Sequence, residues 1–359
     1  MKILHIENGR NFYGGPQQVL YLCSGLDQKG IKNIVICHPE SFLKNQLEKI
    51  GIKVIGLACK SDFDLIFALN LYKIIRREKP DIIHCHSRKG ADFLSGFIAK
   101  SMSVSNVLSR RVDSYEPNII SKIRCSLFKK IIAISKKIYD ETSEVGIDKN
   151  KLTLIKSAVD LNQLSKQEKK SVFLKKFNLQ DDDFVIATIG QLIPRKGHEQ
   201  LIEIFSELKR SHSRVQLLVF GQGKLEAHLR KISAKNNLSK SIKFCGFLYD
   251  LDNYFSHFDL VAHCATREGL GVSLLKAAAV GVPIVAFRTG GIAEVVDHRE
   301  TGLLAELGDK ESLQKNIEYF IENKKFRLAC SINAKEWIKN QFSIDDMIDK
   351  HTKLYENLV

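Results

Sequence analysis

The residues of this chain best suited to chemistry lie in four short segments, each where an apolar run gives way to a helical pattern. The densest is Thr266-Arg267-Glu268-Gly269-Leu270-Gly271-Val272-Ser273-Leu274-Leu275-Lys276, with Gly281-Val282-Pro283 close behind. An ionised glutamate accepts hydrogen bonds from pairs of hydroxyls, such as those of a sugar. The glycines beside Glu268 expose backbone N–H groups at a helix start, where phosphate is favoured. One loop could therefore hold both ends of a sugar diphosphate. The plainer alternative makes Glu268 an ordinary N-terminal helix charge.

Gly190-Gln191-Leu192-Ile193-Pro194-Arg195-Lys196-Gly197 also opens a helix. Arg195 offers a forked donor and Lys196 a point charge, a pairing suited to a diphosphate, although an exposed Arg-Lys pair is usually just solvated. Near the start, Gly14 and Gly15 stand between a first apolar run and a helix, and either admit an anion to the helix end or simply make the tight turn. Asp81-Ile82-Ile83-His84-Cys85-His86-Ser87 places two histidines on one face of a strand. A metal would need a third ligand, which no nearby Asp/Glu/His cluster supplies, so polar contact with substrate is the expected role. For His84 a core histidine is the competing reading.

These segments need elements to carry them. Strand patterns fall at 2–6, 32–38, 53–57, 81–85, 104–109 and 130–134, with helical stretches such as 16–29 and 64–79 between them. The rhythm restarts at 184–189, 215–220, 241–245, 259–263 and 283–287, and from 309 onward the pattern is helical. Alternation of this kind predicts an α/β chain of two doubly wound parallel sheets, binding ligands at the carboxyl ends of their strands. The boundary is expected within 155–182, where 166–176 is lysine-rich and weakly apolar. At 359 residues, two domains are expected.

The eight cysteines are scattered, with no C-x-x-C pair, which favours reduced thiols and a cytoplasmic protein over a disulfide framework or zinc site. No signal peptide is legible, and the least polar stretch, 277–287, is too short to span a bilayer. Of the charges, residues 1–170 hold 29 Lys+Arg against 17 Asp+Glu, whereas the rest is near balance, 26 against 24. A basic first half implies an anionic partner there. Segment 121–130, basic with interleaved apolar residues, suits an anionic membrane surface or an ordinary exposed helix; a nucleic-acid face would want aromatics, and only Phe128 is present.

Taken together, Gly14-Gly15, His84-x-His86-Ser87, Arg195-Lys196-Gly197, Gly221-Gln222-Gly223, Phe244-Cys245-Gly246-Phe247, Glu268-Gly269-Leu270-Gly271, Gly281-Val282-Pro283 and Gly290-Gly291-Ile292-Ala293-Glu294 resemble the retaining GT-B glycosyltransferases of family 4, the "glycosyl transferases group 1" family. The resemblance implies two facing Rossmann-like domains: residues 1–162 for the acceptor, 163–342 for a nucleotide-sugar donor, and a final helix, 343–359, returning to the first. It implies that Arg195 and Lys196 hold the donor diphosphate, that Glu268 holds the sugar hydroxyls beside the backbone of Gly271, Val272 and Ser273, and that His86 lies near the reacting carbon. Gly14, Gly15, Gly190, Phe247 and Leu270 complete the implied donor contacts. It further implies retention at the anomeric carbon without a metal or cofactor, from a UDP- or GDP-linked sugar most simply, to a glycan or lipid-linked acceptor of bacterial surface polysaccharide or lipopolysaccharide. The family's second glutamate, eight positions after the first, holds the ribose; here that position is Lys276, which donates but cannot accept. Altered ribose binding, a different donor, or a non-catalytic nucleotide-sugar-binding subunit would each follow.

Overall fold

The structure, a computed structural model, describes residues 1–88, 90–111 and 117–359. The chain divides into two compact units, Met1–Ala158 with Ile344–Val359, and Val159–Ser343. In the first, β1 (Lys2–Glu7), β2 (Lys32–Cys37), β3 (Lys53–Gly56), β4 (Ile82–Cys85), β5 (Ser105–Arg110), β6 (Lys130–Ala133) and β7 (Leu152–Leu154) form one sheet, in the order β3-β2-β1-β4-β5-β6-β7. In the second, β8 (Phe184–Ile189), β9 (Val215–Phe220), β10 (Ile242–Gly246), β11 (Leu260–His263), β12 (Ile284–Phe287) and β13 (Gly302–Ala305) form a sheet in the order β10-β9-β8-β11-β12-β13. Every pairing is parallel.

The strands are near-continuous apolar runs because helices cover both faces of each sheet. In β1 the two-residue period separates the faces. Leu4 and Ile6 pack with Phe67, Leu71, Leu94 and Phe128. Ile3, one residue out of phase, packs with Leu22, Leu26, Ile348 and Tyr355, from the helices Gly14–Gln28 and Ile344–Glu356. The final helix is thus part of the first unit, and Gly25 shows how closely it docks: a Cβ there would lie 2.0 Å from Ile348 Cδ1. Both sheets reverse direction of strand order once, between β1 and β4 and between β8 and β11. Such a switch point opens a crevice at the carboxyl ends of the two strands.

The strands expected from sequence all form within one or two residues of their anticipated ends. Two more, β7 and β13, close the outer edges. They have three and four residues, and each is a strand through pairing with the single neighbour at its sheet edge.

Candidate functional site

In the second unit, the loops after β8, β11 and β12 are stitched together by their own backbone. Thr266 donates its N–H to the Arg195 carbonyl at 2.9 Å, and Arg195 Nη1 donates to the Arg267 carbonyl at 3.1 Å. Gly291 N–H reaches the Glu268 carbonyl at 3.1 Å, and Thr289 Oγ1 donates to the Thr266 carbonyl at 2.9 Å. Glycine is required where these loops meet. At Gly197 (φ +68) a Cβ would lie 2.0 Å from the Cys264 carbonyl oxygen, and at Gly290 (φ +53) 1.7 Å from that of Glu268.

This stitching brings Lys196 and Glu268 into a largely buried ion pair at the β8/β11 switch point. His263 Nε2 is 3.1 Å from the same Glu268 oxygen, Oε2. Burial pushes the Glu268 carboxyl up, but the Lys196 ammonium and His263 outweigh it and hold the group well below the ordinary carboxylate range. The Lys196 stem runs past Gly190, where a Cβ would sit at ordinary contact distance, 3.5 Å from Lys196 Cδ. Next to them begins the helix Val272–Ala279, whose N-cap, Gly271, is left-handed (φ 88) and supplies no side-chain cap. Its first N–H groups therefore add positive potential.

Lys276, one turn further along, does not extend this cluster as an open cation. Its ammonium donates to both oxygens of Asp252, at 2.7 and 2.8 Å. Asp252 Oδ2 also accepts from Gln163 Nε2 at 3.3 Å. The pair is largely buried, and burial lowers the lysine pKa against the opposing pull of Asp252. Phe247 meets Tyr249 edge-on, ring centres 5.0 Å apart, in the segment after β10.

In the first unit the β1/β4 switch point carries a cluster of imidazoles. His5 pairs with His84 across the strands, and the ligand atoms of His5, His84 and His86 all lie within 4.8 Å of one another. The third histidine that no sequence neighbour supplies comes from the adjacent strand. Every ring nitrogen is nonetheless engaged. His5 Nδ1 meets His86 Nε2 at 3.0 Å, and His5 Nε2 meets Asn33 Oδ1 at 3.0 Å. His84 bonds Tyr355 Oη at 2.6 Å and Ser109 Oγ at 2.8 Å, and His86 Nδ1 meets Arg111 Nη2 at 3.1 Å. Burial depresses all three pKa values, that of His5 to about 4, so the rings are neutral hydrogen-bonding groups. His84 is a core histidine. His86 is buried too, and Arg111 carries the network to the Gly14-Gly15 turn: a Cβ at Gly15 would lie 3.7 Å from Arg111 Cδ and 3.9 Å from Glu7 Oε2.

Two units, each a singly reversed parallel α/β sheet with its polar cluster at the switch point, define the GT-B class. The solved structure of Anabaena HepE in complex with UDP and glucose matches with a TM-score of 0.88 over 99% of this chain and 100% of that one, at 18% identity. Sucrose-phosphate synthase from Thermosynechococcus elongatus matches with a TM-score of 0.80 over 100% and 99%, at 17% identity. The model of "Glycosyl transferases group 1" covers residues 169–337, and that of "Glycosyltransferase Family 4" residues 13–163. The lipopolysaccharide core biosynthesis glycosyltransferase LpsE of Rhizobium meliloti is 23% identical over 99% of this chain and 98% of its own. The capsular polysaccharide biosynthesis glycosyltransferase CapM of Staphylococcus aureus is 23% identical over 82% of each. The chain belongs to the GT-B glycosyltransferases of family 4.

Sequence reading located Arg195, Lys196, Glu268, Gly190 and Gly271–Ser273, which the second unit brings together. It missed His263, Asp252, His5, Glu7, Asn33 and Arg111. A signal existed for two of these: His5 and Glu7 interrupt an otherwise apolar strand.

Proposed function

We propose that this glycosyltransferase moves a sugar from a UDP- or GDP-linked donor to a glycan or lipid-linked acceptor of a bacterial surface polysaccharide, with retention at the anomeric carbon. The observation that carries the donor side is the desolvated Lys196–Glu268 pair beside the uncapped helix start at Gly271. Within the pair these charges neutralise each other. On donor binding the lysine exchanges its carboxylate for the diphosphate, joined by Arg195 and the helix N–H groups, and Glu268 turns to the sugar hydroxyls. Catalysis then consists chiefly in stabilising the departing diphosphate by fixed positive charge. Cations already in place let the reaction proceed without a metal ion. The acceptor oxygen attacks from the leaving-group side, and the departing phosphate takes its proton. The identities of LpsE and CapM favour a surface-glycan acceptor.

The first unit also presents a face suited to an anionic membrane. Phe63, Leu65, Ile66 and Leu69 are 84%, 73%, 72% and 64% exposed, and Ile119 and Ile123 stand out from the helix Asn118–Ser126. The helices Leu65–Glu78 and Asn118–Ser126 both pack against the helix Ala91–Ser101. Lys73, Arg76, Arg77 and Lys122 lie on the same two helices. Among the described residues no helix is long and apolar enough to cross a membrane; the attachment proposed through this face is peripheral.

The test is release of nucleoside diphosphate from a panel of UDP-, GDP-, ADP- and CMP-sugars with extracted lipid-linked saccharides as acceptors. Turnover with a UDP- or GDP-sugar and an α-linked product support the reading; silence across the panel overturns it. The competing non-catalytic nucleotide-sugar-binding subunit draws on Lys276, and its signature is donor binding with no turnover at any acceptor.

A further inference from the structure

Arg111 is a poorly satisfied charge of the first unit. It follows the carboxyl end of β5, and burial lowers its guanidinium pKa to about 10. Its Nε–H is buried without a partner. Glu7, the carboxylate whose field it feels, makes its hydrogen bonds to other groups: Oε1 accepts from Gly9 N–H at 2.9 Å and from Ser87 Oγ at 2.8 Å. Among the described residues no carboxylate contacts the guanidinium; a desolvated cation without one is costly, and a ligand that brings an anion recovers that cost.

The polar chain behind Arg111 has a defined direction. Asn33 Nδ2 donates to the carbonyls of Cys23 at 3.3 Å and Ile31 at 2.8 Å, so its Oδ1 must accept from His5 Nε2–H. His5 Nδ1 is then an acceptor and takes the Nε2–H of His86. His86 Nδ1 in turn accepts from Arg111 Nη2. Each ring holds one tautomer because its neighbour leaves no other. His86 therefore spends both nitrogens on protein and aims the arginine. The guanidinium stem runs beside Gly15, at the first turn of the helix Gly14–Gln28, whose N-cap Tyr13 provides no side-chain cap.

We infer that Arg111 is an oxyanion-binding residue for a phosphoryl group, and that His86, His5 and Asn33 are positioning residues that fix its orientation. This goes beyond the proposed transfer reaction and does not depend on Lys196 or Glu268. The phosphoryl group belongs either to the donor diphosphate or to a phosphorylated acceptor.

The experiment titrates inorganic phosphate into the full chain carrying Lys196→Ala, which silences the other cationic site, while ring ¹⁵N signals of the histidines are followed at pH 7. We expect His86 to be the Nε2–H tautomer, with Nδ1 shifting as phosphate binds. Arg111→Gln in the same background is expected to weaken phosphate at least tenfold. His5→Phe, with Arg111 intact, is expected to weaken it severalfold and disturb the His86 tautomer. An Nδ1–H tautomer in the otherwise unaltered chain overturns the inference even if Arg111→Gln does not fold. So does unchanged phosphate affinity in a folded Arg111→Gln. Where transfer is measured, Arg111→Gln raising only the donor KM assigns the group to the donor, and raising only the acceptor KM assigns it to the acceptor; neither rising overturns the inference. Phosphate bound through Arg111 with no transfer from any sugar nucleotide instead defeats the transferase proposal alone.

Discussion

Lys196 and Glu268 sit in the same buried contact, and their individual removal has different consequences. Lys196→Ala removes a preorganised positive charge aimed at the leaving group and is expected to cost about 2–4 kcal/mol of transition-state stabilisation, read as kcat/KM. Glu268→Gln keeps the shape and removes the charge that fixes the ammonium. Because the Glu268 carboxyl lies below its ordinary value, its charged form favours the folded state fully above pH 4.5 or so. That contribution fades as pH falls toward the folded value. The stability advantage over Glu268→Gln, measured by urea unfolding, should therefore be larger at about pH 7 than at about pH 4. An advantage that grows on acidification would contradict the charge assignment.

At the scale of single elements, the pair that joins the helix Val272–Ala279 to Asp252 decides how position 276 can be changed. Lys276→Glu would place two carboxylates together in a buried site. Breaking such a pair from one side costs about 3–5 kcal/mol, and Lys276→Met alone is expected to fall in that range. Lys276→Met with Asp252→Asn should recover much of the loss, because the orphaned charge is gone; a double variant no better than the single one would show that the two do not interact. Gly290→Ala tests the loop stitching. With a Cβ 1.7 Å from the Glu268 carbonyl oxygen, the loop after β12 must move, and transfer should drop while the far sheet edge is undisturbed by hydrogen exchange.

Across the molecule, six buried imidazoles among the described residues have a depressed pKa: His5, His84, His86 and His351 in one unit, His198 and His263 in the other. Unfolded, each takes up a proton near pH 6.5, while the folded forms of His5 and His198 do so only at about 4. Stability is thus retained above pH 6.5 and lost as pH falls through that value, by up to about 1.4 kcal/mol per pH unit for each ring. Chemical unfolding at about pH 7.5 and 5.5 should show a decline of several kcal/mol; a flat profile would mean the rings are not held neutral. The exposed apolar face predicts binding to phosphatidylglycerol vesicles that weakens with salt and is lost in Leu65→Ser/Ile66→Ser/Leu69→Ser.

The α/β alternation, eleven of the thirteen strands and the residues of the donor loops were legible in sequence, because strand and helix periods and glycine turns are local properties. Segment 155–182 as the boundary region was equally local; that Asp160 caps the helix Leu161–Leu164 within the second unit was not. Only tertiary structure decided that His5 completes the pair at 84 and 86, that Asp252 answers Lys276, and that Arg111 stands beside Gly15. Each of these joins residues separated by 24 to 96 positions. Their meeting depends on which strands become neighbours at a switch point, a choice settled by packing two faces of a sheet at once.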